Sequence, residues 1–127
     1  VDVGAAGAVL GSGCGPRRVA PTMAPTDCVL GQAVMFRGEQ VLPGMVGVVL
    51  FGQGPAVRFQ TCQFWPGTGP TVSVGPVSIQ NTTWRQPLQI PNDSSLVGAQ
   101  FVAQAAFVRS QPFALELSNG VRLIIGR

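Results

Sequence analysis

The chain has 127 residues, eight Arg but no Lys, His or Tyr, and a formal net charge of +3, with charged residues making only 10% of it. That length predicts one domain with a core large enough to fold without a disulfide framework. The missing residue types exclude a His-ligated metal site, a His-based triad, a Schiff-base lysine and a P-loop lysine.

Gly (17) and Pro (11) interrupt almost every window of the chain, so no apolar stripe of helical period runs far. Short strands are expected instead. Residues 1–10 are small and apolar, and read as an extended arm or a first strand. Val1, Val3, Ala5, Gly7 and Val9 would share one face of it. A short strand is expected near Val19–Met23, then one at Ala33–Glu39. Met45–Phe51 is a near-continuous apolar run, as in a strand buried on both faces. Val57–Phe64 alternates, and Thr71–Val74 and Val77–Ile79 flank Gly75-Pro76. Thr82–Ile90 places Trp84, Leu88 and Ile90 on one face, with Pro87 marking an edge or a bulge. Ser94–Val97 predicts one helical turn capped by Asn92 or Asp93. Gly98–Val108 reads as a long central strand, with Gln100 and Gln104 sharing its outer face as a polar stripe or an inter-subunit ladder. Asn119-Gly120 between alternating runs predicts a type I′ hairpin joining Ala114–Leu117 to Val121–Ile125.

Few residues offer chemistry. The carboxylates Asp2, Asp27, Glu39, Asp93 and Glu116 are too dispersed to favour paired acid–base catalysis. The arginines are scattered and lack interleaved aromatics, which argues against nucleic acid. Cys14, Cys28 and Cys62 are an odd number, which predicts one disulfide and one leftover thiol. No His activates a cysteine nucleophile or completes a zinc site. Asn81-Thr82-Thr83 and Asn92-Asp93-Ser94 match the glycosylation sequon, a short motif with many chance matches. Trp65, beside Pro66-Gly67, is the better candidate for a ligand platform, and Trp84 for the core. No apolar run reaches transmembrane length, and the N-terminus reads as a chain already cleaved from a leader.

The run Leu88-Gln89-Ile90-Pro91-Asn92-Asp93-Ser94-Ser95-Leu96-Val97-Gly98, continuing to Gln104, resembles a pattern in secreted planctomycete and myxobacterial proteins. The block Leu117-Ser118-Asn119-Gly120 and the opening Gly11-Ser12-Gly13-Cys14 extend that resemblance over about residues 11–127. Val102 stands where the pattern usually has Tyr, and Gly15-Pro16 follows Cys14 in place of Pro-Gly. The resemblance implies a bacterial, extracellular β-domain with no assigned activity. It also implies a Cys14–Cys62 disulfide; Cys28–Cys62 is the competing pairing, and Cys28 left over would be buried and inert, or would link to a neighbouring chain.

The expected fold is all-β, an antiparallel β-sandwich (jelly-roll-like or Ig-like) of about seven to nine strands. Residues 1–10 form an arm before a single domain at 11–127. The expected function is non-enzymatic and needs no cofactor: a secreted subunit of an extracellular filament or surface assembly. Its partner would be copies of itself, joined by donor-strand exchange through Val1, Val3, Ala5 and Val9. The alternative is a module that binds cell-surface polysaccharide through Trp65.

Overall fold

A computed structural model describes residues 6–16, 20–24, 28–59, 62–110 and 113–127, without the side chains of Ala6 and Phe59. Val1, Val3, Ala5 and Val19 lie outside the described residues. The strands in chain order are β1 (Ala6–Leu10), β2 (Cys28–Val29), β3 (Ala33–Gly38), β4 (Val46–Gly52), β5 (Val57–Phe59) and β6 (Cys62–Phe64). There follow β7 (Val72–Val74), β8 (Ser78–Gln80), β9 (Thr83–Gln89), β10 (Gln100–Ser110) and β11 (Phe113–Gly126). A 3-10 turn at Ser94–Leu96 precedes β10, and the Asp93 carboxylate caps it by accepting from the Ser95 N–H at 3.0 Å.

The molecule is a β-sandwich. Its large sheet runs β1-β11-β10-β4-β7, all antiparallel, and β2 adds parallel to the end of β11. The small sheet runs β3-β9-β8, and β5 and β6 form a separate hairpin. Among the described residues the strands number eleven, more than expected, because several are only two or three residues long. The core lies between the two main sheets. Trp84 and Phe36 come from the small sheet, and Val49, Phe107, Val121 and Leu123 from the large one. Trp84 meets Phe107 edge-on at 5.4 Å between ring centres, and Phe36 meets Phe51 at the same distance. Such edge-to-face pairs add about 0.5–1.5 kcal/mol each beyond the area they bury. Gly47 has no side chain because the Phe107 ring occupies the space beside it.

Pro87 fits its position because β8 pairs only with Thr83–Arg85, so the β8 side of Pro87 is an edge. Met45–Phe51 is not buried on both faces, since Val46 is 61% exposed on the outer face of the large sheet. Three expectations of strand placement fail as well. Thr22 and Met23 belong to no strand, although Thr22 bonds Glu39 through its backbone. Val57–Phe64 does not run as one strand but folds back on itself, Val57 facing Phe64.

The third is the Asn-Gly hairpin. Ser118, Asn119 and Gly120 lie inside the single 14-residue strand β11, and neither Asn119 nor Gly120 has positive φ. Gln104 pairs with Gly120 and Ala106 with Leu117, so Ser118 and Asn119 together oppose Ala105. That is a β-bulge. Its groups are bonded inward: the Ser118 Oγ accepts from Ala105 N–H at 2.9 Å and donates to Asn119 C=O at 2.7 Å. The Asn119 amide accepts from Met23 N–H and donates to Met23 C=O, both at 2.8 Å. The side chain thus pairs with the Met23 backbone as another strand would.

Asn119→Ala is expected to lower stability by about 2–4 kcal/mol, because both Met23 groups are left buried and unpaired. Urea denaturation measures it; a loss below about 0.5 kcal/mol would fit an exposed turn instead.

Candidate functional site

The arm is held by its backbone. β1 pairs antiparallel with β11 from Ala6↔Ile124 to Leu10↔Gly120. Gly7 and Val9 point to the same side as Leu123 and Val121, their cross-strand partners. Yet Gly7 is exposed and Val9 is 55% exposed, while Val121 and Leu123 are fully buried in the core. β1 therefore closes an edge of the sheet without filling the core.

The chain is fastened just after the arm. Gly11 takes a left-handed conformation (φ +63°). Cys14 then exchanges two backbone hydrogen bonds with Leu117, at 2.8 and 2.9 Å. Its sulfur is joined to Cys62 at the start of β6, the pairing the resemblance implies. In the chain-entropy account, a crosslink spanning 48 residues is worth about 4 kcal/mol.

Trp65 follows β6 directly, and the disulfide and Gln104 position it. Gln104 lies on the outer face of β10 but is only 1% exposed, because the segment after β6 covers it. Its Oε1 accepts from the Trp65 N–H at 3.0 Å, and its Nε2 donates to the carbonyls of Gln63 at 3.0 Å and Ser118 at 2.8 Å. The expected polar stripe is thus broken: Gln100 is exposed, whereas Gln104 bonds backbone groups inside the protein. A buried amide satisfying three backbone groups locks the β6 segment to the sheet.

The Trp65 ring lies across two glycines. A Cβ on Gly120 would sit 2.5 Å from its Cγ, and one on Gly11 would sit 2.7 Å from its Cζ2. The indole Nε1 is buried and has no hydrogen-bond partner among the described residues. Trp65 remains half-buried and lines a groove of about 700 Å³ with Leu10, Gln53, Gln100 and Arg122. The structure therefore brings the end of the arm and the candidate platform together, through Leu10, Gly11 and Trp65. Trp84 lies in the core, its indole N–H donating to Thr22 C=O at 2.9 Å.

Cys28 is buried in β2 and free of any disulfide, and burial pushes its thiol up to about 11. Among the described residues, no three His, Cys, Asp or Glu come close enough to hold a metal ion, and no helix is long and apolar enough to cross a membrane. Asn81 occupies the exposed turn between β8 and β9 at φ +57°, as the small side chain of Asn allows. No family model, curated protein or solved structure matches the chain.

Replacing Cys14 and Cys62 together with Ala is expected to cost about 2–4 kcal/mol in denaturant unfolding, with the fold retained. Cys28 in the native protein is expected to resist iodoacetamide at pH 8, since burial favours the neutral thiol and blocks access. Mass spectrometry reads it: full labelling within minutes without denaturant would show an accessible Cys28.

Proposed function

We propose that this chain is a non-catalytic structural subunit of an extracellular filament or surface assembly, joined by exchange of its N-terminal strand. The observation that carries this reading is the way β1 is attached. Five register pairs hold it to β11, while Gly7 and Val9 are left exposed. A copy of β1 from a neighbour, in the same register on β11, would replace those bonds one for one. The strand has a natural pivot at Gly11–Gly13, and the disulfide at Cys14 keeps the rest of the chain fastened when the arm leaves. Residues 11–13 span about 10 Å when extended, so the acceptor strand must lie close beside the donor's own. One-way exchange of this kind is heterologous and builds an open chain of subunits rather than a closed dimer.

Two further features support assembly with copies of the chain. Val46, Val108 and Leu115 form one cross-strand row on the outer face of the large sheet, exposed at 61%, 37% and 38%. Phe113, 75% exposed, stands beside that row. An apolar groove of about 310 Å³, lined by Leu50, Val57, Phe64 and Leu117, continues from it under the β5–β6 hairpin. Contiguous apolar surface of this kind marks interaction sites. The Cys14–Cys62 disulfide is compatible with an oxidising, extracellular compartment.

A second reading, a module that binds cell-surface polysaccharide, is favoured by the Trp65 groove. There an aromatic wall stands beside the polar groups of Gln53, Gln100 and Arg122. Saccharide sites commonly combine these elements.

Deleting residues 1–10 tests the first reading. The full chain is expected to form filaments under the electron microscope, and the truncated chain to stay a folded monomer. A synthetic peptide of residues 1–12 should bind the truncated chain and should inhibit assembly of the full chain. Filaments that persist after truncation, or a full chain that stays monomeric when concentrated, would overturn the reading.

A further inference from the structure

The small sheet carries a feature that strand exchange does not use. Its outer face is the floor of a groove of about 990 Å³, whose walls include Thr22, Glu39 and Gln80. Across the floor runs one cross-strand row: Ser78 faces Arg85, Arg85 faces Arg37, and Arg37 bridges to Ala24. Arg37 and Arg85 are both exposed on this face. Directly opposite residues of an antiparallel pair have Cβ atoms about 4.5–5.5 Å apart, and like charges in that arrangement repel. No ion pair or side-chain hydrogen bond joins either guanidinium to another described residue. Glu39 lines the same groove, two residues beyond Arg37, and forms no ion pair with either arginine.

The rows on either side differ in chemistry. Met35 faces Pro87 on one side of the arginines, and Thr83 faces Gln80 on the other. The groove thus offers an apolar strip, a doubly cationic strip and a strip of hydroxyl and amide groups with the Glu39 carboxylate at its end, in that order. An acidic sugar presents the complement: an apolar C–H face, a carboxylate or sulfate, and ring hydroxyls. A guanidinium binds such an oxyanion through a planar fork of N–H donors. A nucleic-acid strand fits poorly, since it calls for exposed stacking aromatics. Among the described residues the one aromatic lining the groove, Trp84, is only 2% exposed.

We propose that this groove binds an acidic polysaccharide, with Arg37 and Arg85 together clamping one carboxylate or sulfate group. The anion relieves the repulsion that the register imposes on the two side chains. The site lies on the other sheet from β1, so it does not depend on strand exchange.

The test compares the full chain with two double variants of equal net charge. Arg37→Gln/Arg85→Gln removes the clamp, and Arg58→Gln/Arg127→Gln removes two exposed arginines outside the groove. Binding to polygalacturonate, dextran sulfate and neutral dextran is measured by calorimetry at low and physiological salt. The full chain is expected to bind at least one acidic polymer and not neutral dextran; whether polygalacturonate or dextran sulfate binds identifies carboxylate or sulfate. The groove variant should bind about tenfold or more weakly, and the control variant within about twofold of the full chain. The groove variant should also keep or raise the melting temperature, since repulsion is removed. Arg37→Lys/Arg85→Lys keeps the charge but loses the planar fork, and should weaken binding as well. Equal losses in both Gln variants would show adhesion through net charge alone and overturn the site. So would unweakened binding by the Lys variant, or no binding to either acidic polymer.

Discussion

The structure depends on main-chain pairing along both edges of β11. On one edge β10 pairs with it from Phe113 to Ile124. On the other edge Cys14 takes Leu117, β1 takes Gly120 to Ile124, and β2 takes Ile125 and Gly126. A buried backbone group without a partner costs free energy comparable to a lost hydrogen bond. The second edge must therefore be covered, and three separate segments of the first 29 residues cover it. This constraint places β1, the Cys14 segment with its disulfide, and β2, all within the N-terminal quarter of the chain. It also distinguishes one of the three attachments from the other two. β2 carries the buried Cys28 and Cys14 carries the disulfide, whereas β1 is bonded by its backbone and leaves Gly7 and Val9 exposed.

The bulge at Ser118–Asn119 solves a second problem on the same strand. β11 must follow the sheet's twist over 14 residues, and an extra residue is a local way to increase twist. The buried position suits Ser and Asn because their short polar side chains reach nearby backbone. Ser118 serves Ala105, and Asn119 serves Met23, 96 residues away in sequence. The missing side chain of Gly120 then makes room for Trp65 on the outer face. Three residues that look like a turn are shaped by three different non-local partners.

That is why the sequence is read correctly in some places and not in others. Features set by local chemistry are visible: the Asp93 cap, the buried Trp84, the edge position of Pro87 and the period of β10 all follow from neighbouring residues. Asn-Gly also carries a local signal, but a turn and a bulge share it, and only Met23 and Ala105 distinguish them. Gln104 shows the same limit. Alternation puts it on the outer face, and the structure agrees, but the segment around Gln63 and Trp65, 41 and 39 residues earlier, buries that face. The disulfide came from the resemblance and not from spacing, since three cysteines allow more than one pairing. The pairing of Arg37 with Arg85, on which the proposed clamp rests, is beyond sequence reading because it depends on register. Alternation can give the face of each arginine, but not that they are opposite one another.

The low charge takes on a different meaning once the two outer faces are compared. Arg37 and Arg85 stand on the outer face of the small sheet. The outer face of the large sheet carries the rows Val46–Val108–Leu115 and Val48–Ala106–Leu117, with no charge in either. Uniformly sparse charge would leave the whole surface prone to association. Here the deficit is concentrated on that part of the large sheet, whose other end carries Arg122 beside Trp65, and the small sheet keeps a cationic pair at a cost in like-charge repulsion. A subunit that packs its large sheet against copies of itself and turns its small sheet outward has a physical use for both faces. In such a subunit, burial would remove the apolar rows from water, and the arginine row would stay exposed to anions in the surroundings. In the proposed assembly, the edge strand β1 is attached through backbone bonds that another copy of the same strand could make equally well.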